Sequence, residues 1–307
     1  MKKVFIDGSA GTTGLRIRER LAKRADISLV TLPEEFRKDI SHRKDALNSA
    51  DVAFLCLPDA AAIEAASLVE NPSTVIIDTS TAHRTNDAWQ YGFAELRDFR
   101  RKIRIARRIA NPGCHASGLI ALVEPLVEYG VIAPSAHLSA YSLTGYSGGG
   151  KKMIAEYESA PGQDFNGGRV YALSQAHKHL PEMVKVCALE RAPVFSPIIV
   201  PHYSGMETVV MLHGDEVRGG IAAIEDALCK CYCENGVVRF VKATELPAVV
   251  SSISRTGRDD MIVSVHGNDE RVTLVALFDN LGKGASGAAV QNMNLAIGAD
   301  EKEGLEL

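Results

Sequence analysis

Two hydrophobic rhythms alternate along the first third of the chain. KKVFIDG (residues 2–8) is a short apolar run that stops at a glycine, and ISLVTL (27–32), DVAFLCLP (51–58) and STVIIDTS (73–80) repeat that form. Between them the period changes. In GLRIRERLAKRA, Leu15, Ile17 and Leu21 stand among charges as on a surface helix, and DAAAIEAASLVEN carries helix formers with apolar positions three and four apart. Strands that alternate with helices predict a parallel sheet covered on both faces. The expectation is a Rossmann-like, doubly wound α/β domain over residues 1–113.

From residue 114 the texture differs. After one apolar helical run, strand-like segments dominate: AHLSAYSLTG, FSPIIVPH, METVVMLHG, VVRFVKA, MIVSVHG and ERVTLVALFDN. This predicts a second, α+β domain over 114–284 for substrate binding and oligomerisation. The small-residue run GASGAAVQNMNLAIG then predicts a C-terminal helix, 285–307, that completes the first domain.

Length agrees with two cores, because a single core stops growing at roughly 250 to 300 residues and this chain has 307. Its 34 basic and 38 acidic residues give a net charge of −4, which argues against a general nucleic-acid binder. No apolar stretch approaches the roughly 20 residues of a membrane span, and the N-terminus has no secretory apolar core. A cytoplasmic protein that binds neither membrane nor nucleic acid is the expectation. Disulfides rarely persist there. Cys56 and Cys187 lie in apolar runs and read as packing. Cys229, Cys231 and Cys233 alternate, but only Cys229 and Cys233 would share a helix face and no histidine lies between His213 and His266, so no metal site is expected.

Chemistry enters at the loops. Gly8-Ser9-Ala10-Gly11-Thr12-Thr13-Gly14 joins a strand to an amphipathic helix, the place where glycines let backbone approach a pyrophosphate and a helix end supplies N–H groups. Thr31, rather than an acidic residue, follows the second strand, and Arg37, Lys38, Arg43 and Lys44 come after it, which favours NADP(H) over NAD. Gly145 to Lys151 matches G-x-x-x-x-G-K, yet residue 152 is Lys where a nucleotide-triphosphate loop needs Ser or Thr. A Gly-rich anion pocket with Ser147, Gly148 and Lys151 serves a smaller substrate better.

The sharpest signal is NPGCHASGLIALVEPL. A Pro-Gly turn delivers Cys114 to the start of a helix that can run to Pro125. Helix-end N–H groups stabilise a thiolate, and such placement brings a cysteine from about 8.5 down to about 3.5–7.5. A thiolate attacking an acyl group gives a thioester open to reduction by a nicotinamide. QAHKHLPEM supplies an acid or base, His177 or His179, with Glu182 able to orient an imidazole. His115, adjacent to the cysteine, is expected to point elsewhere.

Four segments in order, GSAGTTG, ANPGCHASG, HKHLPEM and FDNLGKGASGAAVQNMN, resemble the N-acetyl-γ-glutamyl-phosphate reductases, in their shorter form, within the aspartate-semialdehyde dehydrogenase superfamily. The resemblance covers nearly the whole chain. It implies NADPH-dependent reduction of an acyl phosphate to N-acetylglutamate 5-semialdehyde in arginine biosynthesis, by a homodimer or homotetramer. Cys114 would be the nucleophile, His177 or His179 the acid/base beside Glu182. Gly8, Ser9, Gly11, Thr12, Thr13, Gly14, Arg37, Ser80, Asn280, Lys283 and Gly284 would hold the cofactor. Asn111, Arg84, Ser147, Gly148 and Lys151 would face the substrate. Position 115 is His where many relatives carry Tyr. The rivals are an aspartate-semialdehyde dehydrogenase and a non-catalytic NADP sensor.

Overall fold

Successive side chains of a strand point to opposite faces, so a strand buried on both faces must be apolar throughout. Val52–Leu55 and Val75–Asp78 are buried at every position, and the one charged residue among them, Asp78 at the strand's end, is bonded to Ser80 and His83. The computed structural model describes residues 1–159, 162–232 and 236–307. Its contacts divide the chain into two units. The first comprises Met1–Ala94, Asp98–Gly113 and Ala285–Leu305; the second comprises Glu95–Arg97, Cys114–Gly284 and Glu306–Leu307.

The first unit runs β1 (Lys2–Asp7), α1 (Thr12–Leu21), β2 (Ile27–Val30), α2 (Ile40–Ser49), β3 (Val52–Leu55), α3 (Asp59–Ser67), β4 (Val75–Asp78), β5 (Gln90–Tyr91), α4 (Phe99–Ile105) and β6 (Arg108–Ala110). All six strands are parallel, in the order β2-β1-β3-β4-β6-β5. On one face Phe5, Ala53, Leu55 and Ile76 pack against Ala46 and Leu47 of α2 and Ala62 and Ala65 of α3. The charged run after β2 contains α2. Asp39 caps it, accepting from the His42 main-chain N–H at 2.9 Å, and Arg43 turns inward to Asp7 at 2.9 Å.

The second unit begins with α5 (Cys114–Glu128) and continues β7 (Ser139–Gly145), α6 (Gly150–Glu158), β8 (Arg169–Val170), α7 (Leu180–Val186), β9 (Val194–Val200), β10 (Met206–His213), α8 (Gly220–Cys231), β11 (Val238–Phe240), β12 (Met261–Asn268) and β13 (Arg271–Phe278). The sheet order is β11-β12-β13-β10-β7-β9-β8, mixed in direction: β11 with β12 and β7 with β9 are parallel, the other pairs antiparallel. Helix α5 lies against β10, β13, α7 and α8 and is buried at every position from His115 to Leu126. It does not stop at Pro125, as the sequence suggests, but continues to Glu128. A proline removes the hydrogen bond to the carbonyl four residues back. Tyr232 Oη donates to that carbonyl, Ala121 O, at 2.7 Å and repairs the loss.

The chain then returns to the first unit through a π turn at Gly282–Ser286 and α9 (Gly287–Ile297). Ala289, Val290 and Met293 close the opposite face of the parallel sheet with Val4, Ile6, Val52, Phe54 and Ile77. The closing helix is shorter than the 285–307 expected: it ends where Gly298 adopts φ +75°, a conformation that stops helices at little steric cost. Among the described residues no helix is long and apolar enough to cross a membrane.

Close approach of α5 to the sheet requires Gly118, where a Cβ would lie 2.2 Å from Thr208 Oγ1. Gly118→Ala is expected to lose about 1–3 kcal/mol through overpacking, whereas Gly130→Ala, just past the exposed end of α5 with nothing among the described residues within 4 Å of a Cβ, bears only the backbone cost of its φ of +70°. Gly162→Ala, likewise open among the described residues, stays near wild type. Urea unfolding of these variants checks this.

Candidate active site

Cys114 is the first residue of α5, directly after the Pro112-Gly113 turn, and is partly exposed while the twelve residues that follow it are buried. The first N–H groups of a helix have no partners within it, so the sulfur sits where a negative charge is stabilised. Gly284, in the π turn, passes close by: a Cβ there would come within 3.0 Å of Cys114 Cβ. That turn hangs on Asp279, whose main-chain oxygen accepts from the N–H groups of Gly282 and Gly284. The Asp279 carboxylate accepts from Leu281 N, Ser204 Oγ and Gly257 N.

The histidine segment is pinned at the edge of β9. Tyr171 N donates to Pro197 O, and the Gln175 amide brackets Phe195, donating to its carbonyl at 3.0 Å and accepting from its N–H at 2.9 Å. Ala172 and Gln175 take φ of +51° and +57°, strain that non-glycine residues bear when the surroundings impose it. His177 and His179 are thereby both buried, their ring centroids 4.8 Å apart. His179 caps α7, and its Nε2 lies 4.0 Å from Glu182 Oε1, an ion-pair distance.

Contrary to expectation His115 joins this cluster. Its centroid is 5.2 Å from that of His177, and its Nε2 is 2.7 Å from Tyr171 Oη. The residue after Cys114 turns inward because α5 is buried all round, so every side chain after the first meets protein. Burial, reinforced by His177 and Lys178, lowers His115 to about 3; burial and then Lys178 lower His177 to about 4. Tyr171 went unnoticed in the sequence. Its one signal is position, six residues before His177.

Other expected contacts are spent inside the protein. Lys283 is 1% exposed and bonded to both oxygens of Glu95 at 2.8 Å, so its charge is neutralised rather than presented to a cofactor. The Asn280 amide ties two loops, donating to Ser147 Oγ at 3.0 Å and accepting from Gly205 N at 2.9 Å. Arg84 donates to the carbonyls of Asn111 and Thr79 at 2.9 Å each. Asn111 donates to Ala285 O and accepts from Asn292. Ser80 caps Asp78 at the end of β4. These side chains shape the loops. Lys151 is exposed on the first turn of α6, and Gly148, where a Cβ would meet Thr144 Oγ1 at 3.1 Å, belongs to the tight turn before it. Cys229 and Cys231 lie on α8, and Cys233 lies outside the described residues.

The glycine loop in the first unit fits a dinucleotide. Gly8 has φ +86°, and a Cβ there would strike Cys56 O at 2.3 Å; one at Gly14 would strike Gly8 O at 2.5 Å. Gly11 caps α1 without a side chain over its end, and the first turn, Thr12 and Thr13 included, has no acidic residue. A cleft of about 590 Å³ opens here, lined by Gly8, Ser9, Thr31 and the cations Arg18, Arg37 and Lys38. Glu34 holds Arg37 at 2.5 Å. Three cations with no acid at Thr31 suit a 2′-phosphate.

Residues 114–280 match the semialdehyde dehydrogenase dimerisation domain, and residues 31–105 the semialdehyde dehydrogenase NAD binding domain. Proteins named N-acetyl-gamma-glutamyl-phosphate reductase align nearly end to end. That of Sinorhizobium medicae is 46% identical over 97% of this chain and 99% of its own; that of Rhizobium rhizogenes is 44% identical with the same coverage. The chain belongs to the N-acetyl-γ-glutamyl-phosphate reductase family. Among solved structures, aspartate semialdehyde dehydrogenase II of Vibrio cholerae, complexed with ASA, superposes with a TM-score of 0.72 at 17% identity, covering 97% of this chain and 98% of that one. The Candida albicans enzyme with NADP gives 0.70 at 16%, covering 96% and 98%. At those identities the likeness is one of fold, so the family shares its architecture with those dehydrogenases.

The buried histidines make stability depend on acid. Their folded values lie below the ordinary 6.5, so the unfolded chain binds more protons once pH falls under about 6.5, and stability drops from there toward pH 4. Each contributes up to about 1.4 kcal/mol per pH unit. His115→Phe is expected to have a shallower loss between pH 6.5 and 4.5 in urea melts; parallel curves would refute the assignment.

Proposed function

We propose that the chain reduces N-acetylglutamate 5-phosphate to N-acetylglutamate 5-semialdehyde with NADPH, releasing phosphate, through a thioester on Cys114. The observation that carries the reading is the full-length likeness, at 44–46% identity, to relatives of that name, with a cysteine at the head of a buried helix where the chemistry needs a thiolate. The aspartate-semialdehyde dehydrogenase reading is not favoured, because those neighbours are only 13–17% identical. A sensor without catalysis would have no use for the nucleophile and histidines that are present.

The steps follow from the side chains. The Cys114 thiolate attacks the acyl carbon, and the tetrahedral oxyanion is met by N–H groups at the start of α5; the C–O bond to phosphate breaks and a C–S bond remains. Hydride from a bound reduced nicotinamide, together with a proton from a histidine of the 177–179 segment, would take this thioester to a thiohemiacetal. The C–S bond then breaks, the aldehyde forms, and a histidine of the 177–179 segment takes the hydroxyl proton while sulfur leaves as thiolate. Arg18, Arg37 and Lys38 are assigned to the 2′-phosphate, and Lys151 to an anionic group of the substrate. The match to a dimerisation domain supports self-association, as a homodimer or homotetramer, and a cytoplasmic location belongs to the same reading.

Purified protein given N-acetylglutamate 5-semialdehyde, phosphate and NADP is expected to form NADPH, and to stop when phosphate is omitted. Cys114→Ser should lose on the order of 10³-fold or more with NADP binding unchanged. Turnover of aspartate semialdehyde in preference to the acetylated aldehyde would overturn the substrate assignment.

A further inference from the structure

Two buried histidines converge on one hydroxyl. Tyr171 Oη lies 2.7 Å from His115 Nε2 and 3.3 Å from His177 Nε2, and the main-chain N–H of His179 donates to His177 Nδ1 at 3.1 Å. An Nδ1 that accepts a hydrogen bond carries a lone pair, so the neutral His177 ring holds its proton on Nε2. That proton faces Tyr171, whose oxygen must accept it. The phenol proton then goes to its other partner, His115 Nε2, and the contact there is the shorter one, as expected where O–H donates. The longer His177 contact is of the kind that tightens when substrate binds. His115 carries its own proton on Nδ1, which has no hydrogen-bond partner among the described residues, so its polar tie is the acceptor at Nε2.

We propose that Tyr171 is a positioning residue for His177: with His115 as terminal acceptor it accepts from the Nε2–H that the His179 amide dictates and so holds the orientation of that donor in the resting enzyme. The proposal rests on the reductase reading above. The chain of bonds runs from the His179 amide through His177 and Tyr171 to His115, and its first step cannot reverse without setting two N–H groups of the 177–179 segment against each other. Cys114 and His115 face the chain from the head of α5, Lys178, His179 and Glu182 from the entry to α7, and Phe195 of β9 walls it at 5.5 Å from both the His115 and His177 rings. Burial, with the neighbouring Cys114, holds the Tyr171 phenol well above its ordinary value, so it keeps its proton throughout the working range. A neutral, tautomer-locked His177 is suited to donating, which divides the labour with His179.

The test reads the tautomer directly. Nitrogen-15 correlation spectra of imidazole-labelled protein at pH 7.5, with His177→Gln to assign the signal, are expected to show the Nε2–H form in wild type and, in Tyr171→Phe, the same tautomer with its Nε2–H signal shifted by loss of the acceptor. A wild-type His177 protonated on Nδ1 would overturn the proposal. In the phosphate-dependent assay Tyr171→Phe should lower kcat about 10- to 100-fold, the range of a misaligned acid or base, with KM for the aldehyde and NADP within twofold. His115→Gln, which keeps an acceptor in place, should lose less than His115→Leu. Unchanged kcat in Tyr171→Phe, together with an unchanged His177 spectrum, would refute it. Absence of turnover in wild type would instead count against the reductase reading and leave the spectra as the judge of the bond chain.

Discussion

A helix buried on every side can be placed only one way, and that constraint governs this protein. From His115 to Leu126 each residue of α5 meets protein, on β10, β13, α7 or α8. Rotation of the helix would drive side chains into Gly118's contact with Thr208, and sliding would part Ala121 O from Tyr232. The first turn is therefore fixed to within the tolerance of core packing, and Cys114 is fixed with it. Preorganisation of the sulfur thus draws on apolar burial many residues away.

Around that fixed point the second unit spends charge on shape. Glu95 and Lys283 form a buried pair beside the π turn that passes Cys114. Breaking such a pair by removing one partner costs about 3–5 kcal/mol, so Lys283 is poorly suited to exchange Glu95 for a ligand. Asp279 gathers donors from the 204, 257 and 281 positions and sets the curvature of the same turn. In the first unit Asp7 and Arg43 do the equivalent work beside the glycine loop, burial raising the Asp7 value while Arg43 opposes it. Cations left at the surface of the cleft, Arg18 and Lys38 among them, are those free to meet an anionic cofactor.

Much of this was legible before any coordinates. Continuous burial in β3, β4 and, from Val4 onward, β1, and helical spacing in α1 and α3, follow directly from residue type. A glycine loop between strand and helix, and a cysteine after a Pro-Gly turn, are short-range features that sequence displays. Residues whose meaning depends on a distant partner were not legible. Lys283, Asn280, Asn111 and Arg84 look like ligand residues, because a polar side chain gives no sign of the internal acceptor that engages it. Tyr171 was passed over because β8 is only two residues long and the turns at Ala172 and Gln175 carry no glycine to announce them, and His115 was expected to point elsewhere because nothing local shows that α5 is buried all round. Helix α2 was hidden by its charges: its buried positions are few, and one of them is Arg43.

The central claim is that Cys114 forms a covalent acyl intermediate at the head of α5. The most direct measurement mixes the protein with N-acetylglutamate 5-phosphate in the absence of NADPH, quenches in acid and maps the peptides by mass spectrometry. One N-acetylglutamyl group on the peptide that contains Cys114, released by hydroxylamine and lost in Cys114→Ser, is the predicted result. Phosphate release and turnover with no acyl group on Cys114 at any time point would contradict the account.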